Sequence, residues 1–182
     1  MYLEIELKVA INENYLNNLI EKVTSYFTLE PLKKEKVDFY YKKQDEFVRL
    51  REVDGKLFLT TKVRSRNQDG IELNKERELL LPIEFKNQGK SILTLLGYTF
   101  YKSKKKKGYL WQKENLSVEL VEVDTLGWFL EAEFIEAENI DEKLKTQREK
   151  ELKELVGQFG LSEKMIEKRP YLHLLKEQEN GV

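Results

Sequence analysis

The sequence predicts an α+β fold: an antiparallel sheet of about eight strands, closed or nearly closed into a barrel, with helices around it. Three observations predict it. Apolar and charged residues alternate with a period of two over several separate stretches, as they do along a β-strand. Turn signals such as Asp54-Gly55 and Asp69-Gly70 join these stretches at short range, as in a meander of hairpins. Most of the strands also carry acids or bases at strand spacing, so one face of the sheet is charged nearly throughout.

The elements follow in order. In Tyr2 to Val9, Leu3, Ile5, Leu7 and Val9 alternate with Glu4, Glu6 and Lys8, each charge roughly 7 Å from the next along the strand. Asn12 to Phe27 reads as a helix, with Asn12 as N-cap and Tyr15, Leu19, Ile20, Val23 and Phe27 as its stripe. Pro31 lies in the connection. Val37 to Lys43 and Glu46 to Glu52 are strands joined at Gln44-Asp45, and Asp54-Gly55 leads into Lys56 to Arg66. Asp69-Gly70 leads into Ile71 to Leu81. Pro82 can open a helix from Ile83 to Leu96, which Gly89 weakens. Strands resume at Tyr98 to Lys107, and Gly108 breaks the run before Tyr109 to Gln112 and Leu116 to Asp124. Gly127 marks a bend before Trp128 to Ala137. Ile140 to Val156 is a helix, Ser162 to Lys168 a shorter one, and Pro170 to Leu175 a terminal turn.

A chain of 182 residues suffices for one domain with a real core, assigned to 1–177 with a tail at 178–182. With 32 basic and 33 acidic residues the net charge is -1, so bulk charge asks for no nucleic acid. The absence of cysteine excludes disulfides, thiol catalysis and Cys-ligated zinc, and the single histidine, His173, excludes multi-histidine metal sites. There is no signal-like opening and no apolar run of membrane length, and a cytoplasmic location with no membrane partner is expected.

The charge ladder carries the functional argument. Beside Glu4, Glu6 and Lys8 stand Arg49 and Arg51, Lys62 and Arg64, Glu76 and Glu78, Lys102, Lys104 and Lys106, and Glu131 and Glu133. An open sheet with one wet face accounts for such a pattern. A closed barrel accounts for it differently, with apolar residues outward beneath helices and charges lining a tunnel. Buried charges must then be paired or bound to ions. Carboxylates suit Mg2+ or Mn2+, and arginine and lysine suit phosphate oxygens.

Several segments resemble the CYTH superfamily, the triphosphate tunnel metalloenzymes, in order along nearly the whole chain. They are Glu4-x-Glu6-x-Lys8, Asp38-Phe39-Tyr40-Tyr41, Phe47-Val48-Arg49-Leu50-Arg51, Leu59-Thr60-Thr61-Lys62, Glu76-x-Glu78, Leu126-Gly127-x-Phe129-x-Glu131-x-Glu133 and Tyr171-Leu172-His173-Leu174-Leu175. The last is similar to the C-terminal segment of the class IV adenylyl cyclase-like branch. The chain departs from the pattern at four places. Lys106 stands where the family usually has arginine, and Asn74 where arginine is frequent. Lys62-Val63-Arg64 replaces a Lys-Gly-Pro. Val121 occupies the position of an aspartate, for which Glu119, Glu122 or Asp124 could substitute, only Glu119 with the right strand parity.

The resemblance implies a triphosphate bound in the tunnel with Mg2+ or Mn2+, the metal held by Glu4, Glu6, Glu76, Glu78, Glu131 and Glu133. It implies phosphate contacts from Lys8, Arg49, Arg51, Lys62, Arg64, Lys104 and Lys106, with Glu4, Glu6, Lys8, Arg51, Lys62 and Glu133 as the catalytic set. The activity implied is phosphoanhydride hydrolysis. Class IV cyclisation of ATP to cyclic AMP and pyrophosphate, and noncatalytic binding of polyphosphate or nucleotides, remain alternatives. A homodimer through exposed sheet or helix faces is compatible with the pattern. Other residues have plainer readings: Trp111 and Trp128 as packing, His173 as structural, Arg66 as a turn residue, part of Lys102 to Lys107 as surface lysines, and Glu142 to Lys153 as a solvated helix face. Tyr40 and Tyr41 face opposite ways, so at most one points inward.

Overall fold

A computed structural model describes residues 1–181. Its elements are β1 (Tyr2–Ile11), α1 (Leu16–Phe27), β2 (Leu32–Lys43), β3 (Glu46–Val53), β4 (Lys56–Arg66), β5 (Glu72–Pro82), α2 (Lys86–Leu95), β6 (Thr99–Lys113), β7 (Leu116–Val123), β8 (Gly127–Ala137), α3 (Glu142–Gln158) and α4 (Tyr171–Glu179). The strands form a closed barrel in the order β1-β5-β4-β3-β2-β6-β7-β8, with every pairing antiparallel. Because β1 pairs with both β5 and β8, the sheet has no edge, and the open sheet with one wet face is ruled out.

Hairpin chemistry sets the local connections. Asp54 and Gly55 both take positive φ, 50° and 69°, as a two-residue turn matched to strand twist requires. Asn12 accepts a hydrogen bond from the Asn14 amide and opens a short turn leading into α1, while Asp141 caps α3 by accepting from the Leu144 amide at 2.7 Å.

Most of the apolar core lies outside the barrel. Ile5, Leu7 and Val9 of β1, with Val118, Leu120 and Leu130, pack against Leu19, Val23 and Phe27 of α1 and Leu152, Leu155 and Val156 of α3. A second cluster joins Leu50 and Leu57 to Leu93 of α2. A third seats α4, whose Tyr171 and Leu174 meet Val121, Val123 and Phe129.

Several expected boundaries are corrected. Gly108 does not break a strand: β6 runs through it for 15 residues. A Cβ at Gly108 would lie 2.1 Å from the Leu120 carbonyl oxygen, so the glycine serves a close backbone approach between β6 and β7. β2 begins at Leu32 because its first residues pair with the far half of β6, from Leu32 opposite Leu110 to Lys36 opposite Lys106. Gly89 is accommodated in α2, where a Cβ would make ordinary contact with Leu50. The helix expected over Ser162 to Lys168 is only a single turn at Glu163–Met165, since β1 captures the following backbone: the Glu167 amide donates to the Lys8 carbonyl, and Ile166 bridges Val9. The terminal turn is a nine-residue helix, so residues 178 and 179 of the expected tail close α4, and Val182 lies outside the described residues.

Gly108→Ala is expected to cost about 3 kcal/mol or more, at or beyond the upper range for overpacking, because the neighbour is backbone and cannot rotate away. Urea unfolding checks this; an unchanged midpoint would mean the β6–β7 approach is not this tight.

Candidate active site

Closing the barrel turns the charged faces of its strands inward. The thirteen residues expected as metal or phosphate ligands, from Glu4 to Glu133, all line one cavity of about 210 Å³. Tyr2, Lys36, Tyr40, Glu72, Glu119 and Tyr171 also line it. The side chains are held in charge clusters. Lys62 of β4 lies 2.5 Å from Glu4, 2.8 Å from Glu76 and 3.7 Å from Glu6. Arg49 lies 3.6 Å from Glu76 and 4.0 Å from Glu78, and also donates to the Thr60 hydroxyl. Lys106 donates to both oxygens of Glu131, at 2.7 and 2.5 Å. Lys36 pairs with Glu119. Lys8 donates to the Arg169 carbonyl at 2.6 Å, with its ammonium 4.1 Å from the centre of the Tyr171 ring.

Asp38 lies behind this lining, fully buried. Its two oxygens accept from the Arg51 guanidinium at 2.7 and 3.0 Å, and Lys104 stands 3.0 Å away. One carboxylate thus aims two of the expected phosphate-binding cations.

Of the six expected metal ligands, the structure brings three together. Glu4, Glu6 and Glu133 each offer a carboxylate oxygen within 4.8 Å of the others. Strand register explains why. Glu6 stands directly opposite Glu133 across the β1–β8 pairing, a like-charge pair that is unfavourable by itself. Glu131 is one step on, opposite Lys8, and bonded to Lys106. Glu76 and Glu78 are engaged by Lys62, Arg49 and Thr60. Three of the six expected ligands thus share one cluster, and Glu76, Glu78 and Glu131 lie instead against Lys62, Arg49 and Lys106. The donor set fits a divalent ion, since all three donors are hard oxygens in a partly buried position.

Electrostatics sets Glu6 and Glu133 apart from the other acids. Burial pushes the Glu6 carboxyl up to about 7, aided by the charges of Glu131, Glu4 and Glu72 and opposed by Lys62. Burial likewise drives Glu133 well above the usual carboxylate range, with Glu4, Glu119 and Glu6 adding to it. Glu131 goes the other way: against burial, Lys106 holds it at about 2. Against burial too, Lys62 keeps Glu4 below its ordinary range, and Arg51 and Lys104 keep Asp38 well below its own.

The departures from the sequence pattern resolve clearly. Val121 is buried in the apolar seat of α4, and of the three acids near it only Glu119 lines the tunnel, while Glu122 pairs outside with Lys107. Tyr40 faces in and Tyr41 out. Lys102 pairs with Glu179 at 2.6 Å and does not line the cavity. Arg66 pairs with Glu72. Trp111 is core, its indole N–H donating to Thr24 at 3.1 Å, and Trp128 packs beside the same core. His173 is exposed on α4, 3.0 Å from Glu177. Sequence reasoning did not assign Lys36, Asp38 or Glu72 to the site. Their parity was the available signal, since Lys36 and Asp38 share it with Tyr40, and Glu72 with Glu76. Tyr171 gave no periodic signal, because it enters from a helix rather than from a strand.

No family model matches the chain. It is 28% identical over 179 residues to a Methanocaldococcus jannaschii protein named as a candidate adenylate cyclase, covering 94% of this chain and 98% of that one. Among solved structures, a candidate adenylate cyclase from Vibrio parahaemolyticus shares the fold with a TM-score of 0.74 at 19% identity, covering 96% of this chain and 98% of the other. A Hippeastrum protein, described as a candidate adenylyl cyclase with a dominant triphosphatase activity, matches with a TM-score of 0.58 at 15% identity over 88% and 89% of the two chains.

The Asp38 cluster generates a stability prediction. A carboxyl held below its ordinary 3.8 contributes stability that is full above that value and is lost as pH falls through the folded-state value. Asp38→Asn should cost about 3–5 kcal/mol near neutrality, because Arg51 and Lys104 are left buried beside a neutral group. The gap from the parent should narrow below about pH 4. Urea midpoints measured from pH 2 to 7 would show this, and a gap constant across that range would contradict it.

Proposed function

We propose that this chain, whose fold and motif set are those of the CYTH superfamily, is a divalent-metal-dependent enzyme acting on a triphosphate held in the barrel, and that its reaction is hydrolysis of a phosphoanhydride bond. One observation carries the reading: three converging carboxylates and a wall of lysines and arginines line the same cavity. A binder of plain anions has no use for the carboxylates, and a binder of plain cations has none for the lysines.

Glu4, Glu6 and Glu133 would hold Mg2+ or Mn2+, which when bound supplies charge neutralisation to the phosphates and a more acidic water. Lys62, positioned by Glu4 and Glu76, and Arg49, positioned by Glu76 and Glu78, take non-bridging phosphate oxygens. Arg51 and Lys104, aimed by Asp38, do the same farther round the wall, as do Lys106, Lys8 and Arg64. Water attacks the terminal phosphorus and gives up a proton to solvent, the bond to the bridging oxygen breaks to leave orthophosphate and the remaining diphosphate, and the fixed cations stabilise the charge gained on that oxygen of the leaving diphosphate.

The cavity, about 210 Å³, is smaller than the roughly 300–1,000 Å³ typical for drug-sized ligands, so it suits the phosphate chain rather than a whole nucleotide. The Hippeastrum protein of the same fold is in keeping with hydrolysis. Cyclisation of ATP is the second reading, favoured by the name of the Methanocaldococcus relative. The substrate is a small molecule and the site draws on one chain alone, so the reading requires no nucleic acid, membrane or second copy. No helix among the described residues is long and apolar enough to cross a membrane, and a cytoplasmic setting, where triphosphates are made, belongs to the same reading.

With Mg2+ or Mn2+, orthophosphate should be released from tripolyphosphate, and EDTA should stop it. Glu4→Gln and Glu133→Gln should each lower the rate by about 100-fold or more, the scale of losing several kcal/mol of charge stabilisation. Full metal-dependent activity in both variants would overturn the site. Cyclic AMP and pyrophosphate from ATP would replace hydrolysis with cyclisation.

A further inference from the structure

The helices do not cover the barrel evenly. α3 lies against β1 and β8, α1 against β6, and α2 against β3 and β6. The outer face of β4 and β5 is covered only in part. Strand alternation puts Leu57, Leu59 and Val63 of β4 on that face, with Leu81 opposite Leu57 and Leu79 opposite Leu59. Leu57 is buried in the cluster beneath α2, whereas Leu79 and Val63 are 56% and 72% exposed. α2 adds to this surface. Its buried residue is Leu93, and Phe85, Ile92 and Leu96, at i, i+7 and i+11 along the helix and its two caps, form an exposed stripe beside it. Leu95 stands farthest out, at 83% exposed.

β5 also overhangs the closure of the barrel. β1 pairs with it only from Glu72 to Glu76. From Arg77 to Pro82, β5 is held by β4 on one side alone among the described residues. An apolar strand segment with one unpaired side is a template for another strand.

The size of this surface suits a protein partner. At about 200 Å² for a fully exposed large side chain, Leu79, Val63, Phe85, Ile92, Leu95 and Leu96 leave on the order of 700 Å² of apolar surface in water. The largest patch on a typical monomer is roughly 300–600 Å², and a standard interface takes about 800 Å² from each partner. Charge and symmetry select the occupant. The exposed charges Arg77 and Glu84 beside the patch have opposite signs, so the face attracts neither nucleic acid nor an anionic lipid surface and can pair with itself across a two-fold axis. A strand running antiparallel to a copy of itself offers the same backbone groups from both sides, so the β5 overhang is self-complementary.

We infer that this face is an isologous dimer interface. The overhang of β5 from Arg77 to Pro82 runs beside the same segment of a second copy, and the α2 stripes of the two copies close over it. The inference is independent of what the tunnel binds, and each tunnel stays within one chain.

Sedimentation velocity at about 100 μM, where mass action favours association, should give twice the 21.7 kDa of one chain. Leu95→Glu and Leu79→Lys each put a charge where apolar surface is to be buried, and each should raise the dissociation constant about tenfold or more. Leu29→Glu, in the exposed connection after α1, should leave it within about twofold. Hydrogen exchange on the unaltered protein avoids any folding loss in the variants: amides between Arg77 and Leu81 should exchange more slowly at about 100 μM than at about 1 μM. A parent that stays monomeric, a dissociation constant unmoved by both patch variants or moved equally by Leu29→Glu, or exchange over Arg77 to Leu81 that ignores concentration, overturns the interface.

Discussion

Eight acids and eight bases line the interior of one closed barrel, and the structure depends on most of them meeting an opposite charge. Removing a charge from water costs several kcal/mol even after relaxation, and a single good contact returns only part of it. The chain answers with networks rather than isolated pairs. Lys62 is shared by Glu4, Glu6 and Glu76; Glu76 is shared with Arg49; Asp38 serves both Arg51 and Lys104. Such an interior fixes side-chain positions but contributes little net stability.

Stability has to come from the other side of the wall. Because side chains alternate along a strand, placing charges inward commits the intervening residues outward. Many of these outward residues are apolar, and α1, α2 and α3 cover those of the two outer clusters. The helices are therefore what allows the barrel to be polar inside. The exception is one end of the interior, where Val121, Val123 and Phe129 face α4, so the chain closes that end with apolar packing and Tyr171.

Much of this was legible because periodicity is local. The alternation in Tyr2 to Val9 or Lys56 to Arg66 shows a strand and its charged face without knowledge of its neighbours, and all thirteen expected ligands do face one cavity. Register is not local. Nothing within β1 or β8 says that Glu6 stands opposite Glu133 while Glu131 stands opposite Lys8, and that one-step offset separates a candidate metal ligand from a lysine's partner. Gly108 failed for a related reason. Its role is set by the Leu120 carbonyl on the next strand, so in isolation it resembled a break. The start of β2 was hidden because Lys33 to Lys36 pair across to β6 and show no apolar alternation of their own.

The equality of acids and bases in the tunnel constrains how a ligand can enter. A triphosphate arriving alone would compete with carboxylates already seated on Lys62, Arg49, Arg51 and Lys106, and every contact it gained would release a buried acid without a partner. A divalent cation arriving alone would satisfy Glu4, Glu6 and Glu133 while leaving Lys62 short of its acidic partners. Entering together, the cation takes the carboxylates and the phosphate chain takes the freed ammonium and guanidinium groups, so no buried charge is stranded. On the proposed function, each ligand would then raise the other's affinity by thermodynamic linkage. The cost that makes an isolated buried charge prohibitive then becomes the source of selectivity, favouring a metal-bound polyanion over either component alone.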